Sequence, residues 1–202
     1  MRVGLLGIQG DLEEHIAATK RAMEEEKIRG EVLMVKTPQD VEVVDGIIIP
    51  GGESTTMGVL ASTNGTLSKL SKRLSEGLPA LGTCAGLILL SKRSQDRVVG
   101  PTEQPLTGSL DIEISRNAFG RQRESFEMEL QIPKLGEKLF HGVFIRAPLI
   151  TAVGRQVDVL SSIQEGVVAV QQGNIIGTCF HPELSGDTRV HRFFLGLINN
   201  GT

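Results

Sequence analysis

The chain has 202 residues, a formal charge of −3 at pH 7 and 40% hydrophobic residues, enough for a sizeable core in one globular domain spanning residues 1–202. That balance excludes a basic nucleic-acid face, and seven Phe with no Trp or Tyr leave little on which bases could stack. Two cysteines are too few for a disulfide scaffold, no apolar run reaches membrane-span length and the first residues lack a signal-peptide layout, so a reducing cytoplasm is expected.

Residues 2–8 read as a buried strand, and Asp11 is placed to cap a helix with Leu12, Ile16 and Met23 on one face. The intervening Gly7-Ile8-Gln9-Gly10 lacks the Gly-x-Gly-x-x-Gly order and any Gly-Lys-Ser/Thr ending. It therefore reads as a strand-to-helix turn and not as a phosphate-binding loop. Residues 31–36 and 45–50 predict two more strands, the second built on Ile47, Ile48 and Ile49. It stops at Pro50-Gly51-Gly52-Glu53, where the glycines fit either a plain turn or backbone N–H groups facing a ligand. Residues 66–77 predict an amphipathic helix through Leu67, Leu70 and Leu74, closed by Gly77.

The next stretch organises the chain. Ala80 and Leu81 lead into Gly82-Thr83-Cys84-Ala85-Gly86, and an unbroken apolar run, Leu87-Ile88-Leu89-Leu90, follows. This is the pattern of a strand, a sharp turn and a buried helix, with Cys84 at the corner and glycines at nucleophile-elbow spacing. A thiol at a helix N-terminus is biased toward thiolate. Taken alone, Gly-x-Cys-x-Gly fits equally a buried cysteine beside a tight turn.

Residues 94–105 read as a polar loop. Leu110, Ile112 and Ile114 then alternate with polar residues as in a strand, before an unusually polar connection over 116–127. Strands are predicted at 140–145, 157–163, 167–172 and 175–180, with Gln172-Gly173-Asn174 as a hairpin turn. Asp187 is expected to cap a last helix carrying Val190, Phe193, Phe194, Leu197 and Ile198. Apolar strands alternating with helices predict an α/β fold with a mostly parallel sheet covered on both faces, and additional antiparallel strands in the C-terminal half. Ligands of such sheets sit beyond the carboxyl ends of the strands, where both the Gly51-Gly52 turn and Cys84 fall.

His181 and Glu183 flank Pro182 at a strand end, and residues two apart in extended backbone project from one face. The carboxylate could then hold one imidazole nitrogen and leave the other for a nucleophile. A loop histidine beside a surface glutamate is the other reading of the same tripeptide. Cys179 shares the face of His181 and reads as a buried filler, with a disulfide to Cys84 as the alternative.

Pro50-Gly51-Gly52-Glu53-Ser54, Gly82-Thr83-Cys84-Ala85-Gly86 and Phe180-His181-Pro182-Glu183 together resemble the class I glutamine amidotransferases, built on a flavodoxin-like three-layer sandwich. Gly7-Ile8-Gln9-Gly10-Asp11, Arg116-Asn117-Ala118-Phe119-Gly120-Arg121-Gln122, Ser125-Phe126-Glu127 and Phe144-Ile145-Arg146-Ala147-Pro148 are similar to the glutaminase subunits of pyridoxal phosphate synthase. The resemblance implies a glutaminase with Cys84 as nucleophile, His181 as acid and base, and Glu183 orienting His181. It implies an oxyanion hole from the N–H groups of Gly52 and Ala85, and L-glutamine held by Gly52, Glu53, Ser54, Arg116, Ile145 and Arg146. It also implies a separate synthase subunit as partner, contacted through Gln9, Gly10 and the first helix, and neither cofactor nor metal in this chain. Arg116 fits a solvated basic loop, or one paired with a partner's acidic surface, as well as a ligand contact, and Arg121 and Arg123 fit that reading better. The rival readings are a glutaminase subunit of another pathway such as imidazole glycerol phosphate synthesis, a cysteine hydrolase or chaperone-like protein on a related sheet, and a non-catalytic interaction subunit.

Overall fold

The apolar runs of the first half become four short parallel strands, three of them buried and one at the sheet edge. The computed structural model describes residues 1–10, 12–96, 100, 101, 103–118 and 125–200. Its first half contains β1 (Arg2–Leu6), α1 (Leu12–Glu25), β2 (Glu31–Val35), α2 (Pro38–Glu42), β3 (Gly46–Ile49), α3 (Ser54–Thr63), α4 (Thr66–Ser75), β4 (Ala80–Thr83) and α5 (Ala85–Leu90). The second half contains β5 (Ser91–Asp96), β6 (Gly100–Pro101), β7 (Leu110–Arg116), β8 (Ser125–Leu130), β9 (Phe140–Ile145), β10 (Leu149–Val153), β11 (Asp158–Ile163), β12 (Gly166–Gln172), β13 (Ile175–Thr178) and α6 (Arg189–Asn200). Asp11 and the segment Phe119-Gly120-Arg121-Gln122-Arg123-Glu124, both singled out in the sequence, lie outside the described residues.

The main sheet runs β2-β1-β3-β4-β13-β12-β10-β7-β5-β6, with β11 added to β12. The pairs β1/β2, β1/β3, β3/β4 and β4/β13 are parallel, and β12 joins β13 antiparallel through the turn at Gly173, whose φ is +54°. Strands β8 and β9 form a separate antiparallel ribbon. Alternation along β3 shows both faces covered. A Cβ on Gly46 would strike Ile198 and Phe194 of α6, whereas Ile49 lies opposite Gly82 on the face that α5 covers. Ile47, Ile48 and Ile49 are all fully buried, and burying each stabilises the fold by about 1.5–3 kcal/mol. The sheet between helical layers is the α/β sandwich expected from the sequence.

Helices α2 and α3 and strands β5, β6, β8 and β10 went unread. The short helix α2 carries a capping box, in which Thr37 Oγ1 accepts from the Asp40 N–H at 3.3 Å and Asp40 accepts from the Thr37 N–H at 2.9 Å. Helix α3 lacks a legible stripe because Val59 and Leu60 point outward, 47% and 48% exposed. The expected loop over 94–105 is instead partly strand: β5 is polar throughout and buries only Ser91 and Ser94. Its place is fixed by parallel pairing with β7, which no local pattern announces. Gly77 closes α4 as anticipated. Its N–H bonds Leu74 O at 3.1 Å, and the Leu78 N–H bonds Arg73 O at 3.0 Å, the two bonds of a Schellman motif. Asp187 accepts from the Arg189 N–H at 3.0 Å at the start of α6.

Candidate active site

Because β1, β3, β4 and β13 are parallel neighbours, their carboxyl ends lie side by side. Each is followed by one segment singled out in the sequence: Gln9-Gly10, Gly51-Gly52, Cys84 and His181. Cys84 sits between β4 and α5 at φ 48°, ψ −102°, a left-handed conformation that costs a non-glycine residue about 1–3 kcal/mol. The surroundings hold it there. The Cys84 N–H bonds Thr178 O of β13 at 2.8 Å, and Ile88 N–H bonds Cys84 O at 3.2 Å. The flanking glycines are demanded by close approach: a Cβ on Gly86 would lie 1.9 Å from Ile49 O, and one on Gly82 would lie 2.5 Å from Leu90 Cδ1 and 2.9 Å from the Gly86 backbone.

His181 and Glu183 do meet, but for a different backbone reason from the one expected. Strand β13 ends at Thr178, and Glu183 lies in a 3₁₀ turn, Pro182–Leu184. That turn, and not strand alternation, brings Glu183 Oε1 to 2.7 Å from His181 Nδ1. His181 is 3% exposed and the Glu183 side chain is fully enclosed. His181 is anchored from outside the sheet by its N–H to Val143 O of β9, at 2.8 Å.

Cys84 and His181 open onto one cavity of about 220 Å³. Gly52, Glu53, Ser54, Ala85, Arg116, Ile145 and Arg146 line it as well, so every residue expected to touch glutamine borders a single space. Asn117 at φ 52° and Arg146 at 43° join Cys84 as non-glycine residues of the cavity wall held at positive φ, and Gly52 there is at +147°, which glycine adopts freely. The Ala85 N–H opens the first turn of α5, where helical amides have no acceptor inside the helix.

Glu53 is already committed. It caps α3 by accepting from the Thr55 N–H at 3.2 Å and the Thr56 N–H at 2.6 Å, and it pairs with Arg116 Nη2 at 3.3 Å. Burial opposes its charge, but the bonds from Thr56 and Thr55 and the Arg116 guanidinium outweigh it and hold the carboxyl below its ordinary range. Arg116 Nη1 donates to Thr55 Oγ1 at 3.0 Å and to Gln104 Oε1 at 2.9 Å, which fixes the guanidinium beside the cavity. Gln9 and Gly10 lie outside the cavity, against its glycine loop. Gln9 Oε1 accepts from the Glu53 N–H at 3.2 Å, and a Cβ on Gly10 would lie 1.9 Å from Gly51 O. Both cysteines are free thiols; Cys179 is fully enclosed, and burial pushes its thiol up. Among the described residues no cluster of His, Cys, Asp or Glu could hold a metal ion.

The model of the SNO glutamine amidotransferase family matches residues 5–200. The chain belongs to that family. It is 46% identical to the pyridoxal 5'-phosphate synthase subunit PdxT of Nitrosopumilus maritimus, over 98% of this chain and 96% of that protein. It is 48% identical to the protein of the same name from Staphylothermus marinus, over 98% of both. A crystal structure of a glutamine amidotransferase superposes with a TM-score of 0.85 at 44% identity, covering 98% of each chain.

Several residues in and around this cavity escaped the sequence reading. Gln104 collects Ser54 Oγ at 3.1 Å and Thr55 Oγ1 at 3.0 Å besides Arg116, yet it sits in a stretch read as loop. Asn117 and Ile88 line the cavity. His15 is fully buried behind Glu183. Its signal was available, as the one histidine on the inward face of α1, in step with Ala18, Thr19 and Ala22.

Proposed function

We propose that the chain is the glutaminase subunit of a pyridoxal 5'-phosphate synthase, hydrolysing L-glutamine and passing the ammonia to a separate synthase subunit. The observation that carries this reading is the shared cavity of Cys84 and His181, with Glu183 hydrogen-bonded behind His181, in a chain of this family. Family membership supports the amidotransferase activity, and the names of the relatives support the pathway and the partner.

In this mechanism the α-carboxylate of glutamine lies against Arg116 and Arg146, and its carboxamide reaches Cys84. The sulfur bonds to the carboxamide carbon while His181 takes the thiol proton. The oxygen becomes an oxyanion that accepts from the N–H groups of Gly52 and Ala85, each donor lowering the barrier by about 3 kcal/mol. His181 then gives its proton to the nitrogen, the C–N bond breaks, and ammonia leaves a thioester on Cys84. Water, deprotonated by His181, attacks the thioester carbon; the C–S bond breaks, glutamate departs and the thiol is restored. Glu183 keeps the Nδ1 proton of His181 in place throughout, so that Nε2 does the exchange. Gln9 and Gly10, packed on the glycine loop, are where the synthase subunit would reach the oxyanion hole. One domain over 1–202 performs the whole half-reaction in this reading. No helix among the described residues is long and apolar enough to cross a membrane, and two free thiols support a reducing, cytoplasmic setting.

The test is ammonia release from glutamine by the chain together with its synthase subunit. Cys84→Ala should abolish it while cofactor synthesis from added ammonia continues. Glutamine-dependent activity equal to wild type in Cys84→Ala would overturn the assignment.

A further inference from the structure

Glu183 is a carboxylate with no access to water, and only one of its oxygens is used by His181. Its second oxygen, Oε2, lies 3.3 Å from Nε2 of His15, which reaches it from α1 at the other end of the chain. The same Nε2 is 3.2 Å from Thr83 Oγ1, on the residue preceding the nucleophile. On the other side of the ring, His15 Nδ1 is 3.3 Å from His191 Nε2 of α6. The side chains of His15 and Glu183 are fully enclosed, and His191 is likewise buried.

Proton positions in this cluster follow from valence. His15 Nε2 makes its hydrogen bond with Thr83 Oγ1 and meets Glu183 Oε2 as a close polar contact without hydrogen-bond alignment; because an ionised carboxylate only accepts, the ring atom turned toward it carries the hydrogen. Burial first, then the neighbouring His191 and His181, hold His15 well below its ordinary range, so its ring is neutral and has a single proton to place. With that proton on Nε2, Nδ1 becomes an acceptor, and His191 meets it by protonating its own Nε2. His191 Nδ1 is then bare, which agrees with its having no hydrogen-bond partner among the described residues. Burial and the charge of Arg21 keep His191 neutral too. The donors of His191, His15 and His181 therefore all run toward Glu183, from α6, α1 and the segment after β13.

We propose that His15 is a positioning residue for glutamine hydrolysis: its Nε2–H, anchored on Thr83 and set against the second oxygen of Glu183, holds the plane of the carboxylate and so the tautomer of His181. This rests on the glutaminase reading above. Without that N–H, the buried carboxylate loses part of the polar surroundings that hold its charge and its plane, and the cheapest relief is for Glu183 to rotate or take up a proton. Either change releases His181 Nδ1 from its single orientation and lowers turnover without touching the groups that bind glutamine.

The test compares His15→Gln, whose amide nitrogen can replace Nε2, with His15→Leu, which fills the space and donates nothing. Both are assayed for glutaminase activity with the synthase subunit present, beside wild type and Cys84→Ala. Wild type hydrolysing glutamine no faster than Cys84→Ala would be a failure of the glutaminase reading itself. Given an active wild type, kcat of His15→Leu should fall about tenfold or more with KM changed by less than about threefold, and His15→Gln should retain at least about fivefold more kcat than His15→Leu. A smaller separation between the two variants, or an effect on KM instead of kcat, overturns the proposal, since a residue needed only for packing would not distinguish an amide donor from a hydrocarbon. Folding is read from the thermal midpoint. If His15→Leu does not fold, His15→Asn, whose shorter amide stops short of Glu183, takes its place under the same criterion.

Discussion

The pairing of His181 with Glu183 turns on one 2.7 Å hydrogen bond in a site closed to solvent. Glu183→Gln keeps the shape and removes the charge that favours protonated His181. The expected result is a loss of about 10²–10⁴ in kcat with little change in KM, measured as ammonia release with the synthase subunit. Arg116 belongs to a different class. Its guanidinium is held by Thr55, Gln104 and Glu53 and borders the cavity, so Arg116→Ala should raise KM for glutamine by about tenfold or more while the thiol remains reactive toward small alkylating agents. Residues of the first kind were legible in the sequence because local backbone demands marked them: glycines around Cys84, a proline between His181 and Glu183. Gln104 and His15 were not, because their roles come from contacts across distant segments and neither lies in a motif.

At the scale of elements, the elbow is the part most intolerant of change. Gly86→Ala would place a methyl carbon 1.9 Å from Ile49 O, which is backbone of β3 and cannot rotate away. The variant should lose about 3 kcal/mol or more of stability, read by urea unfolding, and lose activity along with it. The ribbon β8–β9, which carries Ile145 to the cavity, bears an exposed clasp in which His141 lies 2.9 Å from Glu129 and 3.0 Å from Glu127. Bonds from Glu129 and Glu127 raise the His141 imidazole above its ordinary value. A raised folded value means that the clasp is complete below about pH 6.5 and weakens as pH climbs through that raised value. In an NMR titration the His141 ring signal should turn over above its free-histidine midpoint, and revert to it in Glu129→Gln/Glu127→Gln. The main strands were readable because β1 after Arg2, β3, and β4 up to Thr83 carry only apolar residues, as double-sided burial requires. Helix α3 and strand β5 were not, since one shows apolar residues to solvent and the other is polar along its length.

For the molecule as a whole, burying neutral histidines makes stability depend on acid. Burial, with Arg21 adding to it, lowers His191 to about 4. In the unfolded chain the ring protonates near its ordinary value, so below about pH 6.5 the unfolded state gains protons that the folded state refuses. Stability is present above that value and is lost as pH falls toward 4, by about 3 kcal/mol from His191 alone. Urea unfolding at neutral and mildly acidic pH should show this decline, and His191→Phe should make it shallower. The general architecture was legible from the alternation of strands and helices. The strand order was not, because it depends on a late strand, β13, threading between β4 and β12.

That insertion has a consequence for how the protein is made. The thiol emerges from the ribosome long before the imidazole that shares its cavity, and β4 has one flank open until residues 175–178 arrive to occupy it. During synthesis the growing polypeptide holds the cysteine without His181 and Glu183, so the cavity is incomplete until the residues after β13 are made. Nascent chains stalled ahead of residue 175 should bind no glutamine-derived electrophile at Cys84, whereas chains extended through α6 should.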